Sequence, residues 1–193
     1  EGVDVAIEGT TILREVRWAL RQGEHWAVLG GNGSGKSTFL KLIRGELAPA
    51  PGCMGRRVYG FDGDEQVTAV DVKEKVALVS PELQTRYLTQ EWALSVREVL
   101  HSGITFSEYS PLRLRAAQKE RADQIVELLG IGALLPRSVQ ALSTGELRKV
   151  LIARALVGAP RVLVCDEVCD GLDAGWRANL LAALERVARN DTQ

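Results

Sequence analysis

Apolar and polar positions change period several times along this chain of 193 residues. Val3-Asp-Val-Ala-Ile7 alternates and predicts a strand, and Ile12–Leu20 predicts a second with Val16 and Trp18 on one face. Gly23-Glu24 reads as a turn, and His25-Trp-Ala-Val-Leu29 as a short apolar third strand. From Lys36 to Arg44 the spacing becomes helical, with Phe39, Leu40 and Ile43 on one face and Gly45 placed to stop the helix. Arg56–Phe61 predicts a strand, 60–65 a polar turn, and Lys75–Ser80 a buried strand. Between about 92 and 140 the pattern is helical, including a long charged helix over Leu112–Leu129 closed by Gly130 and Gly132. Arg113, Arg115, Lys119, Glu120 and Arg121 read as its solvated face. A further helix opens at Leu142-Ser-Thr-Gly-Glu146 and stops at Gly158 and Pro160. Arg161–Cys165 is a fully apolar strand, 170–173 a turn, and Asn179–Val187 a final amphipathic helix.

Strands and helices in this order predict an α/β fold: a small N-terminal antiparallel β part, a core with a mostly parallel sheet, and an inserted helical lobe. Composition changes little. Hydrophobic content of 46% and charged content of 25% suit one folded domain. The formal net charge of -1 predicts no broad basic surface, so direct nucleic-acid binding is not indicated. No apolar run is long enough to span a membrane, and the acidic, mixed N-terminus does not read as a leader, which together predict a cytoplasmic protein. Three cysteines, Cys53, Cys165 and Cys169, lack a zinc-site spacing and read as reduced thiols.

Chemistry concentrates in three places. Gly30-Gly31-Asn32-Gly33-Ser34-Gly35-Lys36-Ser37 fits a phosphate-binding loop between a strand and a helix. Glycines let backbone N–H groups curl around a crowded anion, and the helix N-terminus adds a positive partial charge. Lys36 is expected on the β- and γ-phosphates, the Ser37 hydroxyl on Mg2+, and Thr38 near the α-phosphate. Asp166 and Glu167 end an apolar strand: Asp166 is the candidate magnesium ligand and Glu167 the candidate for polarising the attacking water. Ser143 or Thr144 caps the helix that follows Leu142, and that N-terminus also suits a phosphate.

The set Gly30–Ser37, Leu142–Glu146, Val162–Glu167 and Asp170–Asp173, in this order, resembles an ABC-type ATPase domain over essentially the whole chain. Residues 142–146 are similar to the ABC signature, with Thr144 and Glu146 where Gly and Gln are commonest, and Asp170–Asp173 is similar to the loop that reaches a partner subunit. Residues 79–84 and 143–149 look like the molybdenum-transport or photorepair subgroup. The resemblance implies ATP and Mg2+ as ligands and ATP hydrolysis as the reaction. It also implies two nucleotides held head to tail between two such domains, a homodimer or a sibling pair, with Ser143 and Gly145 gripping the partner's γ-phosphate. A membrane permease is the partner that a transport role requires. A role in repair or translation, or a silent nucleotide-binding module, is the alternative.

Departures from the family pattern are visible too. The family's glutamine before the helical lobe, which contacts metal and water, falls at Pro81, leaving Gln84 as the nearest candidate metal ligand. No aromatic residue stands near Glu8-Gly9-Thr10 to stack on adenine; Trp18 and Trp26 read as core. Neither His25 nor His101 matches the switch histidine, and the chain is expected to be a single domain, 1–193, shortened before the last strand and that histidine.

Overall fold

The computed structural model describes residues 2–61, 63–66, 72–107, 109–168 and 174–188. Backbone contacts divide the chain into two compact units, 1–76 and 77–192.

In the first unit, β1 (Val3–Ile7) and β2 (Thr10–Val16) form an antiparallel hairpin, pairing Ile7 with Thr10 and Val5 with Leu13. Glu8 and Gly9 both have positive φ, 49° and 78°, as a two-residue turn between right-twisted strands demands. The second strand stops at Val16 rather than Leu20. Glu15 lies at φ 47° and the register shifts between Val5 and Val3, so an irregularity precedes the last pair of the ladder, Val3 with Val16. Val3 and Val5 share one face and bury against Leu42 of α1 (Lys36–Arg44), with Leu13 and Leu47 beside them.

Helix α1 ends as its sequence predicts, at Gly45 with φ 85°. Its last carbonyls are also satisfied from outside. Arg57 Nη1 donates to Leu42 O at 2.8 Å and Tyr59 Oη to Ile43 O at 2.9 Å. Burial raises the Tyr59 hydroxyl pKa above its ordinary value, against the lowering effect of Arg57 and Arg44. Strand β3 (Tyr59–Phe61) is shorter than the predicted 56–61, and the polar turn instead pairs into β4 (Asp64–Gln66). A four-residue helix, α2 (Val72–Lys75), closes this region.

Two expectations in this unit are corrected. Residues 25–29 form no strand; Trp26 is 60% and Leu29 89% exposed. An apolar run becomes a strand only when a neighbour completes its hydrogen bonds. Trp26 is therefore not a core residue. It meets half-buried Trp18 edge to face at 6.0 Å, and Trp18 meets Phe39 at 5.3 Å.

In the second unit, β5 (Val76–Val79) and β6 (Val162–Cys165) are hydrogen-bonded neighbours, and the ladder continues as Asp166 N donates to Val79 O at 2.9 Å. Helical structure starts earlier than the expected 92. Helix α3 (Pro81–Thr89) begins directly after β5, with Ser80 as its cap and Pro81, which needs no N–H partner, in its first turn. Helix α4 (Val96–Ser102) opens with a capping box between Ser95 and Glu98. The charged helix α5 (Ala116–Leu129) starts four residues later than predicted, where Gln118 Oε1 accepts the Arg115 N–H.

Helix α6 (Thr144–Val157) is the centre of this unit. Leu147, Val150, Leu151, Ile152, Ala153 and Leu156 bury on every side of it, so it is a core helix rather than an amphipathic one. Arg121 is not on a solvated face. Its guanidinium is half-buried and donates to Leu156 O at 2.9 Å and Val157 O at 3.2 Å, satisfying the end of α6. Helix α7 (Ala174–Ala188) starts before the predicted Asn179. The expected turn at Asp170–Asp173 lies outside the described residues, as does Cys169; Cys53 and Cys165 are free thiols.

Candidate nucleotide site

The predicted phosphate loop, Gly30–Ser37, belongs to the first unit. Gly35 caps α1 at φ 88°, a left-handed conformation that β-carbons resist, and a Cβ there would come within 2.8 Å of Leu13 Cδ2. Glycine as the cap supplies no side-chain bond to α1, and no acidic residue stands in its first turn. Free N–H groups without a competing carboxylate are what an anion requires. Gly31 O accepts Ser34 N at 3.3 Å, which closes the loop, and a Cβ at Gly30 would meet Ser34 Oγ at 2.6 Å. Lys36 Nζ folds back to Gly30 O at 3.0 Å and Gly31 O at 2.9 Å, so its ammonium is held over the loop. Ser37 and Thr38 follow in the same first turn, and Asn32 and Gly33 lie on the exposed rim.

The other predicted residues belong to the second unit. Asp166 is 7% exposed at the end of β6, and Glu167 beside it is exposed with φ 53°. A glutamate held in that left-handed region carries backbone strain of about 1 kcal/mol or more, which turns the two adjacent carboxylates to different environments. Ser143, not Thr144, caps α6. Its Oγ accepts the Glu146 N–H at 3.3 Å and donates to Glu146 Oε2 at 2.9 Å, and Ser143 N donates to the same oxygen at 2.8 Å. These bonds from Ser143, with Arg137 adding to them, hold the Glu146 carboxyl below the ordinary carboxylate range. Gly145 sits in the first turn, half-buried. Gln84 is buried on α3, its amide Nε2 3.5 Å from Thr144 O, which ties it to the start of α6.

Sequence reasoning missed two residues here. Arg137 Nη1 lies 2.7 Å from Glu146 Oε1 and its Nη2 donates to Ala141 O at 2.8 Å. Arg154 reaches Ser102 Oγ at 3.0 Å and Ser107 O at 2.7 Å from the last turn of α6. Nothing in the period of either segment marks these reaches. Among the described residues there is no group of three or more His, Cys, Asp or Glu side chains that could hold a metal ion.

A protein-family model described as ABC transporter matches residues 13–170. The chain belongs to that family. It is an ABC-type ATP-binding domain of α/β fold. It is 30% identical over 188 residues to an ABC transporter ATP-binding protein of Streptococcus mutans, covering 97% of this chain and 70% of that protein. It is 32% identical over 178 residues to the molybdate/tungstate import ATP-binding protein WtpC of Pyrococcus horikoshii, covering 90% and 46%. Among solved structures it is similar to cbiO1 of Clostridium perfringens, part of the ABC transporter complex cbiONQ, with TM-score 0.75, 27% identity and coverage of 99% and 73%. The chain spans about half to two thirds of the length of the curated relatives it matches. No helix among the described residues is long and apolar enough to cross a membrane.

Proposed function

We propose that this ABC domain is the ATP-hydrolysing component of a transport system and works as a head-to-tail pair with a second copy or a sibling domain, on the cytoplasmic side of a membrane permease. The observation that carries the reading is the α1 N-terminus, with free N–H groups, no acid in its first turn, and the Lys36 ammonium held over the loop. Mg2+ would be held by Ser37, Asp166 and Gln84 and would neutralise phosphate charge; an oxygen-donor set with a buried carboxylate fits that ion. Gly30–Gly35 orient the triphosphate through backbone N–H groups, and Lys36 offsets its charge. Glu167 accepts a proton from the attacking water, and Ser143 with Gly145 grips the γ-phosphate bound by the other domain. The single-domain boundary 1–193 and the helical lobe at 92–140 belong to this reading, with the lobe facing the permease.

The cargo is a finer matter. WtpC proteins support a molybdate-related oxyanion, whereas relatives of similar identity are named for a metal, for spermidine/putrescine and for trehalose/maltose. What these names share is ATP, and selectivity then lies in the partner permease. A second reading, a nucleotide-binding module without turnover, draws on His101, which sits within α4 and not after a terminal strand. Light scattering of Glu167→Gln with and without Mg-ATP tests the pair: an ATP-dependent change from monomer to dimer is expected, and a monomer that still binds ATP would refute it. Multiple-turnover phosphate release from the unaltered chain at background would favour the silent module.

A further inference from the structure

The cap of α6 carries an ion pair that capping does not need. The chain contains an internal comparison. At α4, Ser95 and Glu98 make the same reciprocal box: Glu98 Oε2 accepts Ser95 N at 2.8 Å and Ser95 Oγ at 2.7 Å, and Glu98 N donates back at 3.3 Å. Among the described residues no arginine bonds Glu98. At α6 the box is repeated nearly atom for atom, and Arg137 is added to it.

Arg137 is held for this contact. Its carbonyl accepts Val96 N at 2.9 Å, its N–H donates to Leu134 O at 2.9 Å, and Nη2 is fixed on Ala141 O. Glu146 uses one carboxylate oxygen for Ser143 and the other for Arg137, so the two partners do not compete.

This matters because Ser143 has one hydroxyl proton. In the box it goes to Glu146. If Ser143 grips a phosphate, that proton must turn to a phosphate oxygen, which leaves a carboxylate facing an anion in the first turn of α6. We propose that Arg137 is a positioning residue that makes a glutamate compatible with phosphate binding at this helix: it holds Glu146 aside and neutralises it when Ser143 turns to the γ-phosphate of the opposing domain. The inference rests on the head-to-tail reading above. Residue 146 and residue 137 then form one functional unit. A neutral amide at 146 would accept the Ser143 N–H without bringing charge, and would not need the arginine.

A double-mutant cycle tests this, with Mg-ATP-driven dimerisation read by light scattering and every variant carrying Glu167→Gln. Arg137→Met is expected to raise the ATP concentration for half-dimerisation about tenfold when residue 146 is Glu, the effect of one uncompensated charge beside a phosphate in a partly screened site. Combined with Glu146→Gln, Arg137→Met is expected to change it less than about twofold, because no charge remains to be compensated. Arg137→Lys keeps the charge and should recover most of the loss. The loss should shrink as ionic strength rises. Equal losses with Glu and with Gln at 146 would overturn the proposal, since they would reduce Arg137 to its structural bond on Ala141. No loss in either background would overturn it as well. Absence of dimers in every variant, with ATP still bound, would instead remove the head-to-tail reading and the inference with it. Circular dichroism and ATP titration of each monomer identify variants that have simply failed to fold, and Arg137→Lys then decides.

Discussion

Gly103→Ala gives a sharp test of the helical packing around α6. Gly103 follows α4 and lies against the C-terminal half of α6. A Cβ built on it would collide with the Arg154 carbonyl oxygen, and would stand 2.9 Å from both the carbonyl carbon of Arg154 and Val157 Cγ1. Two of these atoms are backbone in the last turn of a buried helix, so no rotamer change relieves the clash. The φ at Gly103 is -63°, so the backbone itself would accept alanine, which alone would stabilise by about 0.5 kcal/mol through the unfolded state. Overpacking of this kind costs about 3 kcal/mol, the upper end for inserting one methyl against rigid neighbours. The net is a loss of about 2.5 kcal/mol, or roughly 10 °C in the melting temperature of a unit this size. Thermal unfolding by circular dichroism at fixed protein concentration reads it directly. Gly132→Ala is the control, because its Cβ would meet only Val126 Cγ1 at 3.8 Å, and it should leave the melting temperature within about 2 °C. A Gly103→Ala protein as stable as its Gly132→Ala counterpart would refute the packing described for α4 and α6.

Other perturbations separate stability from function. Ser143→Ala should cost about 1 kcal/mol of stability and also abolish ATP-driven dimerisation, whereas Ser95→Ala should cost the same stability and leave dimerisation intact, as denaturant titration and light scattering would show. Arg121→Met should destabilise the second unit by about 2 kcal/mol, because two C-terminal carbonyls of α6 lose a charged donor; urea unfolding measures it. His101 is held below its ordinary pKa of 6.5, first by burial and then by Arg97, with Asp123 opposing them. Its folded pKa is depressed, so the folded state binds fewer protons than the unfolded state once pH drops to about 6.5. Stability present above that pH is therefore lost on further acidification, and His101→Gln should flatten this part of the pH–stability curve.

Legibility in the sequence followed the range of the interaction. The Gly30–Ser37 loop and α1, the Ser143 cap, the Gly45 stop and the β6 strand ending in Asp166-Glu167 depend on residues within a few positions of each other, and all were readable. The start of α3 was readable in principle from Ser80-Pro81, since a hydroxyl cap and an N1 proline mark a helix start. What failed was decided at a distance. An apolar run at 25–29 carries the composition of a strand, yet strand formation depends on a partner that the run does not specify. Arg121 has the spacing of a solvated charge, and only the arrival of the α6 C-terminus, 35 residues on, gives its guanidinium two carbonyls.

By itself, then, the sequence determined the start of α1 after its glycine loop, the stop of α1 at Gly45 and the opening of α6 near Ser143, because capping bonds and glycine dihedrals are local and their energies attach to short spacings. Tertiary structure alone decided that Gln84 lies at Thr144, that α6 is buried all round, and that Arg137 reaches Glu146. Those contacts join segments whose periodicity carries no record of each other, and they form only when the packing of the core brings the chain back upon itself.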